Sequence, residues 1–130
     1  MLPEEKKNRR VKMVAATLQR EVSLIILEEV KDPACSGVTI IAVKVSKDFS
    51  HAVLSVRARS NELDVTEKAL VGLNRAAPYI RRELSSRIVL RKVPVLQFVE
   101  DRGLVESVRV SELLRGLGLE GDDTGSPEPK

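Results

Sequence analysis

Val11, Ala15, Leu18, Val22, Ile25 and Glu29 recur at intervals of three and four residues, and Val14 and Ile26 widen the stripe. That period places them on one side of a long helix over residues 4–31, with only its last position polar. Asp32-Pro33 ends it, because a residue before proline is pushed out of helical geometry. Residues 38–46 are rich in β-branched side chains and predict a strand. Residues 47–50 predict a turn. Residues 51–59 then alternate: Ala52, Leu54, Val56 and Ala58 face one way, and His51, Ser55, Arg57 and Arg59 the other. The two runs predict an antiparallel hairpin with one buried face and one wet, partly basic face.

Asp64-Val65-Thr66-Glu67 has the spacing of a capping box, with Asp64 as the cap. The helix it opens carries Ala69, Leu70, Leu73 and Ala77 on its apolar side. Pro78 interrupts the pattern, which resumes at Ile80 and Leu84. Proline breaks a helix interior, so two consecutive helices with a kink at Ala76, Ala77 and Pro78 are predicted. Residues 93–99 predict a third strand with Leu96 and Phe98 on one face, and Pro94 marks a strand start or an edge. Residues 104–119 predict a short helix or a mixed segment. The order helix, strand, strand, helix, kink, helix, strand predicts an α+β layer pair, a three-stranded sheet covered by helices on one face.

Composition limits how such a fold works. Of 130 residues 42% are hydrophobic, but only 2% are aromatic and none is Trp, so Val, Leu, Ile and Ala build the core. The net charge is +3, and residues 120–130 hold four acids against one Lys, which leaves the rest at +6. A basic domain over residues 1–118 with an acidic, disordered tail over 119–130 is expected. A basic body suits a polyanion, most commonly RNA or DNA. With one cysteine there is no intrachain disulfide. With no apolar run long enough for a membrane and no signal peptide, the reducing cytoplasm is the expected compartment.

The densest charge lies at residues 75–92. Arg75, Arg81, Arg82, Arg87, Arg91 and Lys92 face only Glu83, a net +5. Arginine forks match phosphate geometry, and several together bind by counterion release. The competing reading is a solvated helix face in which Glu83 pairs with Arg87. A second cluster is Lys6, Lys7, Arg9, Arg10 and Lys12. Phe49, Tyr79 and Phe98 are the whole aromatic inventory, so stacking on the sheet is not expected. Contacts to phosphates and 2′-hydroxyls of a structured RNA are.

Catalytic constellations are absent from the sequence. His51 is the only histidine, and Cys35 has no second thiol. No metal and no cofactor are expected, and the chain is not expected to be an enzyme. The run from Gly116 to Gly121 fits G-x-G-x-x-G, and Gly118 to Gly121 fits G-x-x-G. Neither leads from a strand into a helix or joins two helices, so both read as chance matches.

Several segments in fixed order resemble a known family. They are Arg10-Val11, Glu29-Val30-Lys31-Asp32-Pro33, Val38-Thr39, Val43-Lys44-Val45-Ser46-Lys47-Asp48 and Ala52-Val53-Leu54-Ser55-Val56. Then follow Leu73-Asn74-Arg75-Ala76-Ala77, Tyr79-Ile80-Arg81, Leu90-Arg91 and Pro94-Val95-Leu96-Gln97-Phe98. Over residues 8–115 the chain resembles the ribosome-binding factor A family of bacterial small-subunit assembly factors. The resemblance implies a KH-like (type II) domain without a G-x-x-G clamp, in which an Ala-x-Gly kink stands between the last two helices. Here Pro78 replaces that glycine, which implies a stiffer kink. It also implies binding to the free small (30S) subunit and its 16S rRNA, late assembly, maturation of the 5′ end of that RNA, and a role in cold adaptation. A monomer with no membrane association and no small-molecule substrate is expected. The alternative is a KH-like protein-interaction adaptor docking through its hairpin edge without direct RNA contact; salt-insensitive binding would favour it.

Overall fold

Apolar residues at helical spacing form the first element, α1 (Pro3–Glu29), in a computed structural model of the chain. The structure describes residues 3–101 and 112–116, with side chains from Arg9 onward. Val11, Leu18, Val22, Ile25 and Ile26 of the predicted stripe are buried. A short 3-10 turn, Pro33–Cys35, follows; Asp32 caps it by accepting from the Ala34 N–H at 3.0 Å. Then come β1 (Thr39–Val45), β2 (His51–Arg57), α2 (Leu63–Arg87) and β3 (Val95–Glu100).

The sheet order is β1-β2-β3. β1 and β2 form the expected antiparallel hairpin, with a bulge between Ile40 and Ala42. β3 returns parallel to β2, Ala52 opposite Leu96 and Leu54 opposite Phe98. These side chains and those of α1 and α2 share one core, which also contains Val56, Leu73, Ile80 and Leu84. The element order and the mixed sheet agree with the KH-like α+β expectation.

Three local expectations are corrected. Pro78 does not split the helix: residues 63–87 form one element with Pro78 inside it. Proline removes the N–H that would bond the Asn74 carbonyl and costs about 3 kcal/mol in a helix interior. Leu73, Ile80 and Leu84 are fully buried on either side of it. At roughly 1.5–3 kcal/mol for each such side chain, their burial outweighs the lost bond.

The capping box at Asp64 does not form. The helix starts two residues earlier, with Glu62 as a cap that makes no side-chain bond. Ser60 takes over the corner: its hydroxyl accepts from the Glu62 N–H at 3.1 Å, and its carbonyl accepts from the Thr66 hydroxyl at 3.4 Å. Asp64 instead sits in the first turn, where its charge complements the helix dipole.

The second face of β2 is exposed and basic at Arg57 and Arg59, as expected, but is covered at its middle. Val53 and Ser55 are buried like Leu54, and Leu113 and Leu114 of a helical turn at 112–116 pack with Val53 and Val99. The predicted tail over 119–130, its boundary at 118, the Gly118–Gly121 match and the Lys6 and Lys7 side chains lie outside the described residues.

Candidate nucleic-acid interface

The inner stripe of α2 fixes where its cations point. Ala69, Leu73, Ala77, Ile80 and Leu84 are buried, so Arg75, Arg81 and Arg82 stand on the solvent side. Arg75, Pro78, Arg82 and Ser85 fall at three- and four-residue intervals and form one outward line. Between this line and the α2–β3 connection runs a groove of about 590 Å³. Arg81, Arg82, Arg91, Lys92, Pro78 and Leu90 are among its walls.

One of the groove's own cations ties α2 to the connection after it. Arg81 donates from Nε and Nη2 to the Val93 carbonyl, at 3.0 and 2.9 Å. A guanidinium has five donors, so three remain for a phosphate. Lys92 faces the β1–β2 turn, where its charge helps hold Asp48 down. The main causes there are hydrogen bonds: the Ser50 hydroxyl donates to Asp48 Oδ1 at 2.7 Å and the Ser46 hydroxyl at 2.8 Å. Together they lower the Asp48 carboxyl to about 2. The fully buried Ser46 is the hub of this turn and also accepts from the Ser50 and His51 N–H groups.

The turn ends on Phe49, whose φ of 61° is rare for an aromatic residue. The ring packs against the core, and the Arg10 guanidinium sits 5.6 Å from its centroid. Arg10 of the second cluster is thereby brought to the turn that Lys92 approaches. Arg9 and Lys12 are exposed beside it on α1.

Two predicted residues stand apart from the groove. Arg87 turns back to α1, where its guanidinium lies 3.9 Å from Glu21, 3.7 Å from Glu28 and 3.8 Å from Glu29. Glu83 is not its partner in any of these pairs. Arg75 lines a different cleft, between α2 and residues 29–32.

Chemistry other than binding finds little support. Ser50 touches both Asp48 and the His51 Nδ1, the latter at 3.0 Å. Its single proton goes to Asp48, so His51 Nδ1–H is the donor to Ser50, the reverse of what an activated hydroxyl needs. Cys35 is buried, and burial, followed by the charge of Asp32, raises its thiol pKa, opposite to a reactive thiolate. Among the described residues, no group of acids, His and Cys is placed to hold a metal. No helix among them is long and apolar enough to cross a membrane.

Sequence reasoning missed Asn74. Its side-chain amide donates to the Phe98 carbonyl at 3.0 Å and accepts from the Phe98 N–H at 2.9 Å. A polar residue on the edge of an apolar helical stripe was the only signal.

A family model described as ribosome-binding factor A matches residues 10–114. A protein named ribosome-binding factor A from Lacticaseibacillus casei is 38% identical over 105 residues, 81% of this chain and 90% of its own length. The crystal structure of ribosome-binding factor A from Thermus thermophilus superposes with a TM-score of 0.61 at 30% identity. The match covers 69% of this chain and 94% of that one. A homology model of the Thermus thermophilus ribosome binding factor A, fitted into the cryo-EM map of a 30S–RbfA complex, superposes with a TM-score of 0.57 at 32% identity. The match covers 68% of this chain and 92% of that one. On this family match over most of its length, the chain belongs to the ribosome-binding factor A family.

Proposed function

We propose that this protein binds the free small ribosomal subunit through the groove of α2 and the α2–β3 connection, and assists late assembly of the subunit. The observation that carries the reading is the groove itself, whose walls hold Arg81, Arg82, Arg91 and Lys92 and no acid. Arg10, Arg9 and Lys12 extend the basic surface past Phe49. Lys6 and Lys7 belong to the same N-terminal cluster by sequence. The Thermus thermophilus relative fitted into the map of a 30S–RbfA complex supports the same partner.

The protein does no covalent chemistry. It holds 16S rRNA helices in one arrangement, so that the RNA population shifts toward the mature fold and its 5′ end becomes ready for processing. In the cold, misfolded pairings live longer, and the binder matters more. It acts as a monomer in the cytoplasm, through residues 1–118, and the tail from Gly121 onward is dispensable for folding.

Co-sedimentation with free small subunits and with whole ribosomes, over a salt series, tests this. The expected result is retention on free small subunits that weakens steeply with salt. Equal retention on whole ribosomes would remove the assembly role. Salt-independent retention would favour the protein-adaptor reading.

A further inference from the structure

The cleft beside Arg75 has a construction of its own. Its floor is Gly72 and Ala76, one helical turn apart, with Val30 opposite and the Tyr79 ring as one wall. Its volume is about 330 Å³. A Cβ at Gly72 would lie 2.7 Å from Asp32 Oδ2 and 3.0 Å from Cys35 Sγ. The helix approaches the 3-10 turn this closely because no side chain intervenes.

We infer that this cleft receives one unpaired nucleotide of an RNA strand, with its base on the Gly72–Ala76 floor against Tyr79 and its phosphate on Arg75. The inference rests on the reading of α2 as an RNA-binding helix, and adds to it a site that takes a base rather than a phosphate.

Charge sets the orientation of the nucleotide. Arg75 and Lys31 are exposed and have no ion pair among the described residues. Glu29 and Asp32 also line the cleft, in the 29–32 segment that faces α2. Carboxylates repel a phosphate there and accept hydrogen bonds from an exocyclic amino group, as on adenine or cytosine. The base is therefore favoured inside and the phosphate at the cationic rim.

The Tyr79 ring is already positioned. Its hydroxyl donates to Glu29 Oε1 at 3.2 Å, and the ring packs against the core. A fixed aromatic face stacks a base at little entropic cost. Arg75 also continues the outward line that leads to Arg82, seven residues on and about 10.5 Å along the axis. One strand can thus set a base in the cleft and its following phosphates along the groove.

The test is a titration of the ¹⁵N-labelled full chain with hexa-adenylate and with an abasic ribose hexamer of equal phosphate count. Hexa-adenylate is expected to shift the amide signals of Gly72, Ala76 and Tyr79 as well as those of residues 81–93. The abasic hexamer is expected to shift only residues 81–93. Ala76→Leu, which fills the floor, is expected to weaken hexa-adenylate about tenfold and leave the abasic hexamer unchanged. Arg75→Gln, at an exposed position, is expected to reduce the cleft shifts without loss of fold. Cleft signals that do not move with hexa-adenylate, or that move equally with both hexamers, would overturn the inference and leave the groove reading intact. Failure of both hexamers to bind at low salt would instead overturn the RNA reading on which it rests.

Discussion

Asn74 pairs with Phe98 as a neighbouring strand would, through one donated and one accepted bond to the backbone of β3. β3 pairs with β2 on one side only, and Phe98 presents its N–H and carbonyl to the other. A single helical amide thus blunts a sheet edge that could otherwise pair with another chain. Asn74→Ala is expected to lower stability by about 1–3 kcal/mol, the usual cost of a partly buried backbone group left without its partner. Urea denaturation measures it; a change within error would mean that water replaces the amide freely.

Asp48 makes stability depend on acid. Its folded carboxyl is lowered to about 2 from an ordinary 3.8. A group depressed on folding adds stability that is present above its unfolded pKa and lost as pH falls through the folded one. The contribution should therefore fade between about pH 4 and pH 2. Asp48→Asn should melt below the wild type at about pH 6, and the gap should close as pH approaches about 2. A gap that is constant with pH would detach the carboxylate from the stability of the turn.

Val53 separates a two-sided strand from a one-sided one. Val53→Ala is expected to cost on the order of 2 kcal/mol, since two buried methyl groups are removed and a cavity is left. Leu114→Ala, on the cover over the same patch, is expected to cost about 2–5 kcal/mol. If thermal melts show both variants unchanged, the helical turn at 112–116 does not stay on the sheet.

Gly72→Ala is expected to destabilise the protein by about 1–3 kcal/mol. Its methyl group must displace the Asp32 carboxylate that caps the 3-10 turn, or the buried Cys35 thiol. Chemical denaturation of Gly72→Ala beside Val71→Ala, an exposed neighbour, isolates this effect.

The cations of α2 and of the connection after it should divide by partner. Arg81, Arg82 and Arg91 changed together to Gln are expected to flatten the salt dependence of small-subunit binding by about two to three units. Arg87→Gln should leave that slope nearly as it was and lower the thermal midpoint slightly, because its charge is committed to Glu21, Glu28 and Glu29. A slope lowered as much by Arg87→Gln as by any groove arginine would reverse this assignment.

What the sequence made legible were the contacts that repeat locally. Leu18, Val22 and Ile25 on α1, and Ala52, Leu54 and Val56 on β2, announce their buried face by spacing alone. The burial of Val53 on the other face of β2 left no signal, because its cover, Leu114, lies 61 residues further on, and spacing within β2 carries no trace of it. Arg87 was offered a local partner in Glu83, and three acids of α1 prevailed in space. The basic groove was legible as a run of arginines, but its geometry was not. Arg81 holds Val93, and Phe49 takes a left-handed backbone angle that propensity argues against. Pro78 misled because the local penalty of a proline is visible in a sequence, whereas the packing that outweighs it is shared among residues on both sides.

The parallel pairing of β2 with β3 also orders events during synthesis. The strands are separated by the 37 residues 58–94, so their contacts are long-range and close late. A nascent chain that has emerged as far as Arg87 can hold α1, the hairpin and α2. It has no partner yet for the free edge of β2 or for the amide of Asn74. Until Phe98 leaves the exit tunnel the half-made core exposes strand edge and aliphatic surface together, the combination that chaperones recognise. Closure of this domain therefore waits for β3.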